Sequence, residues 1–189
     1  SRWPGHKLSE NTYLIFTSDN GGMEGHPGEV YTDNYPLDRG KISAMEGGTR
    51  VPLIITGPDV PRGKQSDVMV NGLDFYPTIL DWIGATPAQG KQLDGANIAR
   101  LLRDDPAAPS LALSSNGKPR DTMVWHFPNS VALESTIRIG DYKLVRNYNH
   151  VHAPRSVPLE LYRLYKTENG KQVRVDIEEA DNLVKSDPQ

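Results

Sequence analysis

Two short apolar runs in the first third of the chain have the pattern of strands buried on both faces. Residues 12–17 and 51–58 are rich in β-branched, aliphatic and aromatic side chains, and glycine or proline follows each run closely. The first run leads into Asp19 and Asn20, which places polar groups at the carboxyl end of a strand, where α/β sheets bind ligands. Residues 23–49 have no sustained period and many Gly, Asp, Asn and Pro residues, so we expect a long functional loop.

The spacing of apolar residues becomes that of a helix over residues 74–83. Its proline lies in the first turn, where a missing N–H costs little, and Gly84 follows the last periodic residue. The apolar positions, three or four residues apart, are Leu73, Tyr76, Ile79, Leu80 and Ile83. This pattern predicts an amphipathic helix, and residues 97–102 predict a shorter one.

The last third of the chain has the pattern of short strands. Gly140 and Asp141 form a hairpin turn between two of them, and residues 176–185 predict a terminal helix. The β-rich segments are residues 122–127, 135–139, 142–146 and 160–165. Together they predict a small antiparallel sheet with a helix packed on it.

A segment rich in Pro, Gly and Ser separates these two patterns. Residues 106–120 have the composition of a linker, so we place a boundary there. The sequence thus predicts an α/β fold in two parts. Residues 1–105 belong to a mostly parallel sheet domain, and residues 121–189 form an antiparallel α+β subdomain.

Composition excludes several classes of function. The 189 residues carry a formal net charge of -3, so the chain lacks the basic footprint that draws proteins to nucleic acid or anionic membranes. Without cysteine it has no disulfide, thiolate ligand or cysteine nucleophile. No apolar run approaches the roughly 20 residues of a membrane helix, and the first residues do not form a signal peptide. The cellular location stays open; if the parent protein is exported, we expect its signal outside this chain.

Asp19, Asn20 and Lys41 are the candidates for chemistry. A carboxylate and an amide oxygen side by side suit a hard cation such as Ca²⁺ or Mg²⁺, although Ca²⁺ needs six to eight oxygens and two residues supply too few. Asp-Asn-Gly-Gly is equally typical of a simple turn. The ammonium of Lys41 can pair with an anionic oxygen, or it can be a solvated charge in a polar loop.

The order of several motifs resembles the sulfatase family of the alkaline-phosphatase superfamily. The resemblance covers nearly the whole chain from Asn11. The segments that carry it are Phe16-Thr17-Ser18-Asp19-Asn20-Gly21-Gly22, Asn34-Tyr35-Pro36-Leu37 through Lys41, Glu46-Gly47-Gly48-Thr49-Arg50-Val51-Pro52-Leu53, Asp74-Phe75-Tyr76-Pro77-Thr78-Ile79-Leu80, Trp125-His126-Phe127-Pro128, Asp141-Tyr142-Lys143-Leu144 and Glu160-Leu161-Tyr162.

This resemblance implies a fold and a set of site residues. Residues 1–105 would be the C-terminal portion of an alkaline-phosphatase-like domain. Asp19 and Asn20 would bind Ca²⁺, with Mg²⁺ as the alternative, and Lys41 would contact a sulfate oxygen. His126 would lie near the substrate pocket, or pack beside Trp125.

The resemblance also gives other residues structural roles. Glu46 and Arg50 would pair to hold the turn between them, and Asp74 would cap its helix. Ile42 departs from the family pattern, because glycine is common after the lysine.

The family's nucleophile is absent from these 189 residues. It is a formylglycine made within a Cys/Ser-x-Pro-Ser-Arg motif, and the chain contains no such motif. The early aspartates that complete the metal site are absent too. We therefore expect a sulfatase fragment that contributes to hydrolysis of a sulfate ester, of a sulfated carbohydrate by analogy, and is inactive without its missing N-terminal segment.

Two other functions fit the same residues. A phosphodiesterase or phosphonate hydrolase of the same superfamily would use the Asp-Asn pair at a phosphoryl centre. A non-catalytic fragment would retain the fold for binding anions or sugars. In each case a truncated sheet exposes an edge, so we expect self-association unless another chain covers it.

Overall fold

The computed structural model describes residues 7–24, 28, 32–129, 133–148, 157–168, 171–174 and 182–186. In chain order its elements are β1 (Leu14–Thr17), α1 (Glu46–Thr49), β2 (Leu53–Thr56), α2 (Phe75–Trp82), β3 (Thr122–Phe127), β4 (Glu134–Ile139), β5 (Tyr142–Asn147), β6 (Leu159–Arg163), β7 (Tyr165–Glu168), β8 (Lys171–Arg174) and α3 (Leu183–Ser186), with 3-10 turns at Lys7–Glu10, Gly72–Asp74 and Ala99–Leu102. Within the described ranges, no helix is both long and apolar enough to cross a membrane.

The chain forms two compact units, each built from separate stretches of sequence. The first unit comprises residues 1–16 and 53–121, and the second comprises residues 17–52 and 122–189. The sequential division predicted above, with a linker at 106–120, stays a prediction.

In the first unit, β1 and β2 are neighbours in a two-stranded sheet. Tyr13, next to the start of β1, stacks on Trp82 at the end of α2, with ring centroids 3.9 Å apart. Gly57 follows β2 and lies so close to Tyr13 that a Cβ there would overlap the aromatic ring. A small core of Ala96, Ile98 and Ala112 completes this unit, with Ile55 and Leu101 among the side chains packed on it.

The predicted helix is confirmed as α2. Several of the apolar side chains that define its pattern are exposed, however, where the pattern predicts burial. Tyr76 is 54% exposed and Ile83 is 69% exposed. The strands differ from prediction in the same way, since Phe16 in β1 and Ile54 in β2 are each 61% exposed. The first unit therefore presents apolar side chains on its surface that the patterns assign to an interior.

Asp74 is the fully buried centre of a hydrogen-bond network in the first unit. Its carboxylate accepts two hydrogen bonds from the Arg120 guanidinium, at 2.6 and 2.5 Å, and one from the Ala96 N–H at 2.7 Å. It also accepts from the Asn71 N–H in a capping box, while the Asn71 side chain accepts from the Leu73 N–H. The Asp74 side chain makes no cap hydrogen bond to α2, so the predicted cap of that helix is wrong. The carboxylate instead completes the capping box of the preceding 3-10 turn and joins that turn to residue 120.

The second unit contains an antiparallel sheet of β3, β4, β5 and β6 in sequence order. Gly140, with a φ of 54°, and Asp141 form the predicted hairpin turn between β4 and β5. The predicted strand at 160–165 is divided between β6 and β7. Of the terminal helix predicted over residues 176–185, residues 176–181 lie outside the described residues. The described α3 packs on β6, and the Asn182 side chain accepts from the Leu161 N–H.

A buried ion pair joins α1 to this sheet. The Lys143 ammonium is inaccessible to solvent and lies 2.9 Å from a Glu46 carboxylate oxygen, with Arg138 Nη1 3.7 Å from the other oxygen. The pKa of Lys143 lies below its usual value because burial removes water from the ammonium, although the Glu46 carboxylate opposes that shift. The predicted Glu46–Arg50 pair is replaced by these contacts, and the Arg50 guanidinium instead lies over the Tyr165 ring, 5.3 Å from its centroid.

Replacing Arg120 by methionine leaves the Asp74 carboxylate buried without its cation. We expect the free energy of unfolding to fall by about 3 kcal/mol or more, the usual cost of breaking a buried pair. Urea denaturation of the 189-residue chain measures it. Arg100→Met is the matched control, because its pair with Asp105 is solvent-exposed and worth at most about 1 kcal/mol. Equal urea midpoints for the two variants would show that the Asp74 network stabilises the fold no more than an exposed ion pair does.

Replacing Lys143 by methionine leaves the buried Glu46 carboxylate without its ammonium partner. We expect a loss of about 3 kcal/mol or more in unfolding free energy, and recovery of about half of it in the double variant Glu46→Gln/Lys143→Met, because removing both charges removes the unpaired one. If the single variant does not fold, the return of a cooperative transition in the double variant is the readout. A double variant no better than the single one would refute this coupling.

Candidate functional site

Asp19 and Asn20 directly follow β1, in a turn that Ser18 stabilises. The Ser18 hydroxyl donates a hydrogen bond to the Asn20 carbonyl oxygen over 2.8 Å. The next residue passes close to α1, where a Cβ on Gly21 would overlap the Gly47 carbonyl oxygen. Only glycine permits this approach, so the pair is held beside α1 by backbone packing.

Lys41 lies in a loop that the Asn34 side chain closes. Asn34 Oδ1 accepts from the Gly22 N–H over 3.0 Å, and Asn34 Nδ2 donates to the carbonyl oxygens of Gly22 and Arg39 at 3.0 and 3.1 Å. The Lys41 N–H donates to the Gly22 carbonyl over 2.8 Å. The backbone of Lys41 is therefore tied to the segment that follows Asn20.

Ile42 has a left-handed backbone, with a φ of 72°. A β-branched residue in this region costs roughly 1–3 kcal/mol and persists only where its surroundings enforce it. The conformation explains why glycine is the easier residue after the lysine.

The buried carboxylate of Glu134, at the start of β4, fixes the rest of the loop. It accepts from Arg39 Nη1 at 3.2 Å, from the Ser43 hydroxyl at 2.8 Å and from the Ala44 N–H at 2.6 Å. Beside this cluster, burial raises the pKa of the Asp38 carboxyl, although the adjacent Arg39 opposes the shift. One side chain thus positions both flanks of Lys41.

Trp125 and Phe127, near the end of β3, form the aromatic wall of the site. Trp125 has the Lys143 ammonium 4.8 Å from its ring centroid, a cation–π contact that links the wall to the buried ion pair. The adjacent His126 is exposed, and its Nδ1 lies 2.5 Å from the Ser135 hydroxyl oxygen on β4. Ser135 Oγ in turn lies 3.0 Å from the Tyr148 hydroxyl.

These segments enclose a hollow of about 620 Å³ within the second unit. All four sequence-predicted site residues line it: Asp19, Asn20, Lys41 and His126. Its other lining residues are Ile42, Ser43, Ala44, Gly48, Thr49, Val124, Trp125 and Phe127. The arrangement combines oxygen donors, a cation and an aromatic wall around one open space.

Asn20 Oδ1 is the atom in this hollow that most needs a partner. It is buried and accepts no hydrogen bond in the part of the chain that the structure describes. Leaving an amide oxygen buried and unpaired costs about 1–3 kcal/mol, and a hard cation would satisfy it. The donor set fits Ca²⁺ or Mg²⁺ but is incomplete: nowhere in the described ranges do three or more His, Cys, Asp or Glu residues cluster as a metal site.

Sequence reasoning did not identify the contributions of Trp125, Phe127 and Thr49 to the hollow. The aromatic residues belong to the Trp125-His126-Phe127-Pro128 segment, which was recognised by resemblance without a role. Ser135 and Tyr148 carry no local signal, because strand register brings Ser135 opposite His126 and a backbone hydrogen bond to Leu133 places Tyr148, just beyond β5.

Comparison with known proteins gives this geometry a family context. The family model described as Sulfatase matches residues 5–85. A sulfatase of Formosa agariphila is 33% identical over 96% of this chain and 30% of its own length. The human N-acetylglucosamine-6-sulfatase is 34% identical over 49% of this chain and 15% of its own length.

A solved structure agrees. The crystal structure of Ps i-CgsB matches with a TM-score of 0.66 and 27% identity, over 95% of this chain and 34% of that one. The predicted alkaline-phosphatase-like α/β class with an antiparallel part is confirmed. The chain spans about a third of the length of such relatives. From the motifs, the fold and these matches together, the chain belongs to the sulfatase family.

Proposed function

We propose that this chain supplies one side of the metal and sulfate site of a sulfatase. The observation that carries the proposal is the convergence of Asp19, Asn20, Lys41 and His126 on one hollow, although they come from separate segments of the sequence. Family membership supports sulfuric ester hydrolysis as the reaction class.

Each residue then has a distinct task. Asn20 Oδ1 and the Asp19 carboxylate bind the cation, Ca²⁺ by preference, whose charge stabilises the sulfuryl oxygens when it is bound. Lys41 pairs with a sulfate oxygen and stabilises charge that develops there. His126, which lines the same hollow from β3, contacts the alcohol portion of the ester.

The remaining ligands and the nucleophile lie outside this chain in the proposal. Formylglycine is expected in a missing N-terminal segment, which would also cover the apolar side chains exposed around Phe16, Ile54 and Ile83. An uncovered surface of this kind favours self-association. Export of the intact parent remains part of the proposal.

A sulfated carbohydrate is the proposed substrate class. The name of the human relative, N-acetylglucosamine-6-sulfatase, supports a sugar sulfate for that protein, and Trp125 gives the present hollow an aromatic surface on which a sugar can pack. The comparisons described above favour a sulfuryl over a phosphoryl centre, because they name sulfatases.

The 189-residue chain alone should hydrolyse no aryl sulfate at an enzymatic rate, because the covalent nucleophile is absent from it. Colorimetric assay of the purified chain with Ca²⁺ present checks this. Turnover that Lys41→Ala abolishes and Lys91→Ala retains would contradict the expectation, because it would show a complete site in this chain.

Calcium should bind the isolated chain weakly, with a dissociation constant on the order of 1 mM or above, since two side chains supply only part of the six to eight oxygens. Calorimetric titration should lose the signal in Asn20→Ala and in Asp19→Ala. Asp67→Ala is the control, because Asp67 is exposed and lies in the first unit.

The same titration separates a severed enzyme from a binding module. Tight binding of Ca²⁺ and a sulfated saccharide by this chain alone would favour the module and count against the proposed division of the site. Equal Ca²⁺ affinity in wild type and Asn20→Ala would refute the assignment of the metal ligands.

A further inference from the structure

His126 and Ser135 are direct partners across the β3–β4 ladder. The backbone register therefore fixes their proximity, and the 2.5 Å separation of His126 Nδ1 from Ser135 Oγ is that of a short hydrogen bond. This contact occupies one of the two ring nitrogens. Nε2 is left as the nitrogen through which His126 can bind a ligand in the hollow that it lines.

Tyr148 extends this contact into a linear series of three hydrogen-bonded side chains, which we call the file. Its hydroxyl lies 3.0 Å from Ser135 Oγ, and its ring meets the imidazole edge-on with centroids 6.3 Å apart. The Tyr148 N–H donates to the Leu133 carbonyl over 2.8 Å, which fixes the backbone of Tyr148 just beyond β5. The file consists of Tyr148, Ser135 and His126.

The direction of the hydrogen bonds in this file decides which ring nitrogen carries the proton. Each hydroxyl donates one hydrogen, and a neutral imidazole has one N–H. If Tyr148 donates to Ser135, the hydrogen of the Ser135 hydroxyl has Nδ1 as its remaining partner among the described residues; it is donated there, and the ring proton is on Nε2. If the file runs the other way, the ring proton is on Nδ1 and Nε2 is an acceptor.

Arg146 favours the first direction. Its guanidinium lies over the Tyr148 ring, 5.2 Å from the centroid. A cation over the ring withdraws electron density from the phenol, which makes the hydroxyl a stronger donor and a weaker acceptor. Tyr148 is therefore the donor end of the file.

We propose that Ser135 and Tyr148 are positioning residues that hold His126 as the Nε2–H tautomer, so that it offers a hydrogen-bond donor to the hollow. The tautomer follows from the contacts alone. The identity of the acceptor, an oxygen of a sulfate ester, rests on the proposed function. A donor here lies in the same hollow as Lys41, which suits an oxygen-rich anionic ligand.

Nitrogen NMR of the ¹⁵N-labelled chain tests the tautomer directly. Long-range proton–nitrogen correlations at pH 8 distinguish a protonated from an unprotonated ring nitrogen. His126→Gln identifies the signals among the five histidines. Free histidine already prefers Nε2–H, and we expect the ratio of Nε2–H to Nδ1–H in His126 to exceed the free ratio by at least about fivefold, the factor that one net hydrogen bond sustains.

Variants separate positioning from general structure. Ser135→Ala should bring the tautomer ratio towards that of free histidine, and Tyr148→Phe should move it part of the way. Tyr142→Phe, an exposed tyrosine elsewhere on the same sheet, should leave it unchanged. A predominant Nδ1–H form in the wild type, or a ratio insensitive to Ser135→Ala, would overturn the proposal.

Sodium sulfate added to the same samples tests the acceptor separately. A shift of the His126 Nε2 signal that disappears in Lys41→Met supports a sulfuryl oxygen as the acceptor. If the tautomer is Nε2–H but sulfate causes no shift, the sulfate assignment fails while the positioning role of Ser135 and Tyr148 stands. The calcium titration above decides the metal ligands independently of both results.

Discussion

The position of the Lys41 loop depends on the buried carboxylate of Glu134. The segment from Arg39 to Ala44 has no helix or strand to hold it, so its conformation must come from side-chain and turn contacts. Glu134 satisfies a guanidinium, a hydroxyl and a backbone N–H from that segment at once. Charge-assisted hydrogen bonds of this kind are roughly twice as strong as neutral ones. Together they outweigh the cost of the left-handed backbone at Ile42.

The Glu46–Lys143 ion pair holds α1 against the antiparallel sheet in a similar way. It is buried on both sides, and its ammonium also contacts the ring of Trp125. The helix that lies against the Asp19-Asn20 turn is thus linked through one lysine to the aromatic wall of the hollow. Within the second unit, the buried Lys143 ammonium therefore contacts both α1, through Glu46, and the aromatic wall, through Trp125.

The two units differ in how their apolar patterns are used. In the second unit Met45, Val145, Tyr162 and Leu164 form a buried cluster beneath the sheet. In the first unit the apolar residues of β1, β2 and α2 remain largely on the surface. A chain that spans about a third of its relatives' length presents such a surface if the proposed missing segment covers it in the intact protein.

The sequence by itself determined the family and most of the helices and strands, although it did not predict the β7–β8 pair. Local rules suffice for β3, for the Gly140-Asp141 hairpin and for α2, because alternation, turn residues and helical spacing are properties of neighbouring residues. The motifs around Asp19, Asn20 and Lys41 likewise identified candidates for chemistry.

Tertiary structure alone decided which distant residues meet. Glu134 reaches Ser43 across 91 positions, and Lys143 reaches Glu46 across 97. The family resemblance implied Arg50 as the partner of Glu46, but burial against the sheet brought Lys143 and Arg138 closer. The Tyr148–Ser135–His126 file likewise depends on the β3–β4 register and on the backbone hydrogen bond between Tyr148 and Leu133. Such contacts depend on the packing of whole elements, which no local pattern encodes.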